Sequence, residues 1–369
     1  MLDNDTDLEG DPLAIVSING APATIDVPIM LASGATATLR ADATITYDPN
    51  GAWDTLTAPG SGAFNIEGTD SFVYAVGSGP SATVVVTVSG VANAGDRLGG
   101  SNGNDTIAGT AGIDMFMLQD GGDDTVTGDD SSDGFYMGAA LSQGDYLDGG
   151  GGALDQVGLQ GSYSGYTFGI DNLRDIEMVV LLSGTDTRFG GSGFSTNSYD
   201  LTTMDENVDA GERLIVSFNT LQAGEDVVFD GSAERDGYFL TYGGYGQDVL
   251  TGGQQDDGFY FGTGRWGIKD RVDGQGGTMD QIGFQGDFAG GSALVFRADQ
   301  IVDIEMIVLI AANDTRFGGS GTSYSYTLTM HDGNVALDQV LSISATRLDA
   351  TEVLTFDGSA ELDGSFTIY

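Results

Sequence analysis

Cysteine is absent from this 369-residue chain, and histidine and lysine occur once each, as His331 and Lys269. Without cysteine the chain can form no disulfide and no thiolate zinc site, and it has no thiol nucleophile. A single histidine cannot supply a zinc-binding histidine pair. We expect His331 to lie in a turn, because Met330, Asp332 and Gly333 surround it. The residue types on which many catalytic sites depend are therefore absent or nearly so.

Positive charge is scarce as well, since 12 Lys and Arg residues stand against 55 Asp and Glu residues and give a formal net charge of −43. Nucleic acids and anionic membrane surfaces are bound through clustered cations, so neither is an expected partner. No apolar run approaches the roughly 18 residues of a membrane-spanning helix, so membrane insertion is not expected. The first eleven residues lack the basic and apolar regions of a cleavable secretory signal peptide. We expect export by another signal, or a chain that is part of a longer polypeptide.

The chain nevertheless has the composition of a folded protein, because 40% of its residues are hydrophobic. Repulsion among so many acidic groups opposes a compact state. Multivalent cations held between carboxylates would remove this cost. Glycine is abundant, with 60 residues, which indicates many turns or close backbone approaches. Composition alone therefore favours a turn-rich protein that binds metal ions.

Amphipathic helical patterns are nearly absent, whereas short β-branched and aromatic runs recur between Gly, Asp and Asn residues, so we predict an all-β protein. Residues 1–92 contain several short alternating runs and predict an N-terminal β-sandwich. The candidate strands of this unit are residues 13–18, 36–40, 44–47, 70–76 and 82–88.

A short repeat of nine or ten residues follows in residues 93–150. An apolar residue stands two positions after each acidic anchor of this repeat. The anchors are Asp96, Asp105, Asp114, Asp124 and Asp133, and the apolar residues are Leu98, Ile107, Phe116, Val126 and Phe135. We expect each unit to form a short strand and a tight turn, which is half a coil of a parallel β-roll.

A longer repeat is superimposed on the short one. Residues 133–136 return as 257–260, and residues 186–193 return as 314–321. Residues 125–250 and 250–369 are therefore tandem copies, which is typical of modular arrays. We predict a β-roll over residues 93–150 and an irregular β-solenoid over 151–250 and 251–369. The second copy stops where its next turn would begin, so we expect a truncated array.

Residues 243–251 fit the pattern Gly-Gly-x-Gly-x-Asp-x-U-x, in which U is a large apolar residue. Glycines allow tight turns that point carbonyl oxygens at one spot, and Asp adds an anionic oxygen. Ca²⁺ prefers six to eight such oxygen ligands. The pattern therefore predicts several Ca²⁺ sites between adjacent turns, so that folding and ion binding are coupled.

The segments 96–136 and 243–260 resemble the RTX, or haemolysin-type, calcium-binding repeats of bacterial exoproteins. The resemblance implies type I secretion without a cleavable N-terminal signal, and folding on Ca²⁺ outside the cell or at its surface. The candidate calcium-binding residues are Gly103, Asp105, Gly112, Asp114, Gly122, Asp124, Asp133, Gly244, Gly246, Asp248 and Asp257. The longer steps from Asp133 to Asp145 and from Asp257 to Asp270 predict that the roll is interrupted there.

Residues 3–88 are similar to the bacterial cadherin-like repeats of large adhesins. The segments that carry this resemblance are residues 3–11, 46–51 and 69–74. In that family an acidic linker binds calcium and stiffens the joint between domains. The resemblance therefore implies further calcium ligands. They are Asp3, Asp5, Asp7, Asp11 and Asp70.

The sequence as a whole favours a non-catalytic, calcium-binding segment of a large secreted adhesin, with cell-surface glycans or other surface proteins as partners. One alternative is a calcium-supported β-helix enzyme acting on polysaccharides, which would need a basic residue near acids in a cleft. The basic candidates are Arg188, Arg265, Lys269 and Arg316. Another alternative is the C-terminal folding and secretion module of an exoenzyme.

Overall fold

The computed structural model describes residues 13–77, 79, 81–91, 95–190, 195–317 and 323–369. Strands dominate this part of the chain, which confirms the predicted all-β class. The helices described are four short 3-10 turns at Asp205–Asn207, Gly290–Ser292, Thr315–Phe317 and Asp332–Asn334.

The N-terminal unit contains two antiparallel sheets that share one core. Its strands are β1 (Ile15–Ile18), β2 (Ala21–Pro22), β3 (Pro28–Met30), β4 (Thr36–Leu39), β5 (Ile45–Asp48), β6 (Glu67–Val76) and β7 (Ser81–Ser89). One sheet has the order β2-β1-β6-β7 and the other β3-β4-β5. Ile18, Ala37 and Phe72 come from different strands and are buried together. The predicted N-terminal β-sandwich is therefore confirmed.

All later strands pair in parallel. Twelve of them form one sheet, called the long face. It comprises β8 (Arg97–Gly99), β10 (Met115–Met117), β12 (Gly134–Gly138), β14 (Gln156–Leu159), β16 (Met178–Leu181), β18 (Arg213–Ser217), β20 (Tyr238–Tyr242), β22 (Gly258–Gly262), β24 (Gln281–Gln285), β27 (Met306–Leu309), β29 (Val340–Ser344) and β31 (Ser365–Ile368).

The remaining strands form three shorter parallel sheets, together called the opposite face. The first is β9 (Thr106–Ala108), β11 (Thr125–Asp129) and β13 (Tyr146–Gly150). The second is β15 (Tyr163–Thr167), β17 (Tyr199–Thr202), β19 (Val227–Asp230), β21 (Asp248–Thr251), β23 (Arg271–Asp273) and β26 (Ile301–Val302). The third is β25 (Leu294–Val295), β28 (Ser325–Thr329) and β30 (Val353–Asp357).

The chain alternates between the two faces and so builds a parallel β-solenoid. Asp96 and Asp114 are 18 residues apart and lie in successive coils, as the nine-residue repeat predicts. In-register pairing stacks Leu98 on Phe116 and Phe116 on Phe135. These inward side chains belong to one buried cluster that extends along the solenoid. The predicted β-roll and solenoid are confirmed.

The predicted interruption of the roll is wrong. Strands β11 and β13 pair in register, with Val126 opposite Leu147. Strands β21 and β23 do the same, with Leu250 opposite Val272. The extra residues enlarge the turns before the following acidic residue and leave these two pairings in register.

A segment of the N-terminal unit covers the first coil of the solenoid. The backbone N–H of Phe64 donates to the carbonyl of Gly99, and that of Ala108 donates to the carbonyl of Ser61. The hydroxyl of Thr57 donates to the carboxylate of Asp96 at 2.9 Å. These bonds satisfy polar groups that the first coil would otherwise expose at the end of its sheets.

Candidate metal sites along the aspartate columns

Buried and half-buried carboxylates form a column at the edge where the chain enters the long face. Each member of this first column directly precedes a strand of that face, and the column is present in both tandem copies. Its residues are Asp96, Asp114, Asp133, Asp155 and Glu177, followed further along by Asp257, Asp280 and Glu305.

A second column lies where the chain enters the opposite face. It contains Asp105, Asp124 and Asp145, and it resumes with Asp248 and Asp270. All of these except Asp105 are buried. The two columns therefore place aspartates at both edges of the solenoid, as the repeat predicts.

Hydrogen bonds connect each carboxylate to the preceding coil. The backbone N–H of Asp114 donates to Oδ1 of Asp133 at 2.7 Å, and that of Asp133 donates to Oδ1 of Asp155 at 2.6 Å. The same contact joins Asp257 to Asp280 at 2.6 Å in the second copy. The acidic residues therefore cross-link coils directly.

The other carboxylate oxygen usually serves the residue's own turn. Oδ2 of Asp257 accepts the N–H of Gly253 at 2.6 Å, and Oδ2 of Asp145 accepts that of Ser142 at 2.7 Å. This pattern explains why a short acidic side chain is needed at a fixed distance after the glycine-rich turn. It also means that many carboxylate oxygens of the columns already accept hydrogen bonds from backbone N–H groups.

Two column oxygens remain unsatisfied. Oδ2 of Asp124 and Oδ2 of Asp155 are buried and have no hydrogen-bond partner among the described residues. A buried charged oxygen without a partner is costly, because it has lost its hydration. These two atoms are therefore the points in the columns where the structure calls for a cation or a proton.

At several column residues the surroundings favour the protonated acid when no cation is present. Burial raises the pKa of Asp155 to about 6, and the carboxylates of Glu177 and Asp133 add to the rise. Burial likewise raises the pKa of Asp124 to about 6 and that of Asp280 to about 8. A divalent cation would reverse this effect by stabilising the ionised form.

Two turns beside the columns accept only glycine, because a larger residue there would collide with carbonyl or carboxylate oxygens. A Cβ atom built on Gly152 would lie 2.5 Å from Oδ2 of Asp155 and 2.7 Å from the carbonyl oxygen of Ser131. A Cβ on Gly122, whose φ is +124°, would collide with the carbonyl oxygen of Gly103. Carbonyl and carboxylate oxygens thus converge at these turns, and the donor set is the one that Ca²⁺ prefers.

Amide side chains end the second column in each copy. Nδ2 of Asn172 donates to the carbonyls of Ser142 and Asp145, at 3.0 and 2.8 Å. Nε2 of Gln300 donates in the same way to Gly267 and Asp270. An amide nitrogen here donates to the carbonyls of the preceding turn, and no carboxylate continues the column at these positions.

The residues predicted to bind calcium fall into three groups in the structure. Asp105, Asp114, Asp124, Asp133, Asp248 and Asp257 belong to the columns, and Gly103, Gly112, Gly122, Gly244 and Gly246 lie in the turns before them. Asp70 lies on β6, where its Oδ2 accepts the hydroxyls of Ser33 and Tyr47. Asp3, Asp5, Asp7 and Asp11 lie outside the described residues.

Sequence reasoning missed several members of the columns as site residues. They are Asp96, Asp145, Asp155, Glu177, Asp270, Asp280 and Glu305. The long repeat contains the signal, because Asp155 and Glu177 return as Asp280 and Glu305. Asp96 is an anchor of the nine-residue repeat, whereas the others follow longer turns that the spacing of that repeat does not identify.

A separate groove of about 370 Å³ lies on the outer surface of the long face. Three arginines line it, Arg213, Arg316 and Arg347, although the chain has only 12 basic residues. Phe317 stacks on Tyr260 at one side, with ring centroids 4.7 Å apart. The first copy has a smaller counterpart of about 170 Å³ at Arg188, Phe189 and Tyr136. Guanidinium groups beside aromatic rings suit acidic ligands with apolar faces.

Comparison with known proteins assigns one part of the chain. Residues 1–90 match the family model of a bacterial Ig domain, which fits the antiparallel N-terminal unit. No haemolysin-type repeat family matches the chain. No curated protein and no solved structure matches the chain. Among the described residues, no helix is long and apolar enough to cross a membrane.

Proposed function

We propose that the chain is a calcium-binding, non-catalytic segment of a large secreted bacterial protein, and that its solenoid folds when Ca²⁺ binds outside the cell. The observation that carries the proposal is the pair of buried aspartate columns, with unsatisfied oxygens on Asp124 and Asp155. The RTX-like repeat pattern supports it independently.

The column carboxylates would hold the ions together with turn carbonyls from adjacent coils. Bound Ca²⁺ supplies the positive charge that lets neighbouring buried carboxylates ionise together. The chain's own contribution is to hold these oxygens at fixed heights through the coil-to-coil hydrogen bonds, such as that between Asp133 and Asp155. Repulsion between the carboxylates of each column would keep the solenoid unfolded where calcium is scarce.

Extracellular location and type I secretion are part of the same proposal. Calcium-binding modules that work outside cells have dissociation constants of roughly 10⁻⁴ to 10⁻³ M, so they stay empty at cytosolic calcium levels. A chain that folds only at extracellular calcium levels could leave the cell unfolded. The Ig-like match at residues 1–90 is compatible with a structural or adhesive role.

The groove at Arg213, Arg316 and Arg347 supports adhesion to acidic surface glycans as a second element of the function. Arg316 is already paired with Asp314, so Arg213 and Arg347 would pair with carboxylates or sulfates. Tyr260 and Phe317 would contact sugar faces. The same groove supports the alternative of a polysaccharide-active enzyme, because it places two acids, Asp256 and Asp257, near basic residues. Product analysis after incubation with acidic polysaccharides separates binding from cleavage.

Thermal unfolding with and without calcium tests the proposed function. Millimolar Ca²⁺ is expected to raise the melting temperature of the solenoid strongly relative to excess chelator, and Mg²⁺ at the same concentration is expected to do much less. Equal melting temperatures in Ca²⁺ and chelator would contradict calcium-dependent folding. Occupied sites stabilise by mass action, so the effect should grow with calcium concentration.

A further inference from the structure

A cluster of three acidic residues lies outside both aspartate columns. Asp205, Glu234 and Asp236 each offer a carboxylate oxygen, and these three oxygens lie within 4.8 Å of one another. Asp205 begins a 3-10 turn, and Glu234 and Asp236 lie in the turn between β19 and β20. The cluster is therefore built from two successive coils.

The same cluster recurs in the second copy, at Asp332, Glu361 and Asp363. Its backbone contacts are also repeated. Oε1 of Glu361 accepts the N–H groups of Leu362, Asp363 and Gly364, at 3.1, 3.1 and 2.7 Å. Oε1 of Glu234 accepts those of Arg235, Asp236 and Gly237, at 3.0, 3.1 and 2.8 Å. Chance proximity of acids does not explain two arrangements that share their hydrogen bonds.

The second carboxylate oxygen of the central glutamate has no partner. Oε2 of Glu234 and Oε2 of Glu361 are both buried, and neither accepts a hydrogen bond from the described part of the chain. Glu234 itself is fully buried. Three N–H groups fix its Oε1, so the carboxylate cannot rotate freely to find water. A buried anionic oxygen held in this way needs a cation or a proton.

We propose that these two clusters are divalent-cation sites, one in each tandem copy, and that they bind Ca²⁺. Ca²⁺ lies 2.3–2.6 Å from its oxygen ligands, so two ligands on one ion are at most about 5 Å apart, which the clusters satisfy. Three carboxylates provide charge and hard oxygens. The exposed residues Asp236 and Asp363 leave room for water to complete the coordination.

One position distinguishes the two sites. In the first copy Arg235 forms a 2.8 Å ion pair with Oδ2 of Asp205. In the second copy Leu362 occupies the equivalent position and can form no ion pair with Asp332. Both residues donate their backbone N–H to Oδ1 of the aspartate, at 2.9 and 2.8 Å. The guanidinium therefore competes with an ion for the first site and not for the second.

Counting bound calcium ions in matched variants tests these sites. The full chain and the double variant Asp236→Asn/Asp363→Asn are dialysed against saturating Ca²⁺, and bound calcium is measured. Both substituted side chains are exposed, and no described residue donates a hydrogen bond to either carboxylate, so the fold should persist. Glu206→Gln removes an exposed charge next to Asp205 and is the matched control.

The double variant is expected to bind two ions fewer per chain than the wild type and the control, with unchanged β-structure. Equal stoichiometry in all three proteins would overturn the proposal. If the columns bind no calcium, the wild type still binds two ions and the double variant none. Failure of the columns and failure of these two sites are therefore distinguishable.

Arg235→Leu provides a second measurement, made in the Asp363→Asn background so that only the first-copy site remains. Removing an exposed competing ion pair is expected to tighten calcium binding there by about two- to fivefold. Unchanged or weaker affinity in this variant would contradict the assigned role of Arg235.

Discussion

The backbone N–H of Asp248 donates to Oδ1 of Asp270 at 2.8 Å, so two buried carboxylates lie one above the other in successive coils. Burial raises the pKa of Asp248 to about 7, and the charge of Asp270 adds to the rise. Burial also raises the pKa of Asp270 to about 6. Without a cation, both carboxyl groups of this pair therefore bind a proton more readily in the folded solenoid than in the unfolded chain.

This pair leads to a prediction about pH. The folded state binds protons more tightly than the unfolded chain, in which Asp has a pKa near 3.9. Stability in chelator should therefore be highest near pH 4 to 5 and should fall as the pH rises through about 6 to 8, because unfolding then releases protons. Melting temperatures measured in chelator across this range check the prediction.

Calcium should abolish this pH dependence, because the ion binds the ionised carboxylates and replaces the protons. A melting temperature in chelator that rises between pH 5 and pH 8 would contradict the raised pKa values of Asp248 and Asp280.

Asp155→Asn tests the unsatisfied oxygen of the first column. The amide can keep one acceptor for the N–H of Asp133, but it carries no charge. In chelator at pH 8 we expect the variant to retain more β-structure than the wild type, because it buries no ionised carboxylate at this position. In calcium it should be less stable than the wild type, because a ligand is lost.

Asp209→Asn, which removes an exposed carboxylate outside both columns, is the control for this substitution. Equal stability of Asp155→Asn and the control in both conditions would show that the column charge is not coupled to calcium.

Gly152→Ala tests the close approach of backbone and carboxylate. The new methyl group would lie 2.5 Å from Oδ2 of Asp155, so either the turn or the carboxylate must move. We expect a loss of roughly 1–3 kcal/mol in stability, together with weaker calcium binding. Gly291→Ala, where a Cβ would meet no atom within 4 Å, is the control and should have little effect. Unfolding curves recorded at increasing calcium concentrations measure both the stability and the calcium affinity of each variant.

Arg347→Ala tests the arginine-lined groove. If the groove binds acidic glycans, loss of this guanidinium should weaken binding of polygalacturonate about tenfold or more, because hydrogen bonds to charged groups contribute roughly 1.5–3 kcal/mol. Arg271→Ala, on β23 of the opposite face, should leave binding unchanged. Equal loss in both variants would indicate non-specific charge attraction.

Much of the fold could be predicted from the sequence, because strand alternation and the Asp-x-U repeat directly encode the coils. Leu98 and Phe116 stack as their spacing requires. The repeat did not predict that the coils continue through Asp145 and Asp270, because a solenoid takes up extra residues in its turns without changing strand register. Nor did it predict that residues 57–65 cover the first coil, since this contact joins distant parts of the chain.

The candidate site was predicted only in part. A motif identifies Asp114 and Asp248 by their glycine context, but Asp155 and Glu177 follow turns of different length. The cluster joins Asp205 to two residues that lie about 30 positions further along the chain, Glu234 and Asp236. Only the stacking of coils brings such residues together, so their chemistry could not be assigned from local spacing.

Circular dichroism of refolding tests the central claim most directly. The chain is unfolded in denaturant and diluted at neutral pH into excess chelator, millimolar Mg²⁺ or millimolar Ca²⁺. Cation neutralisation of the aspartate columns predicts full β-structure only in Ca²⁺, with the change reversed by later addition of chelator. Full β-structure in excess chelator at neutral pH would contradict it.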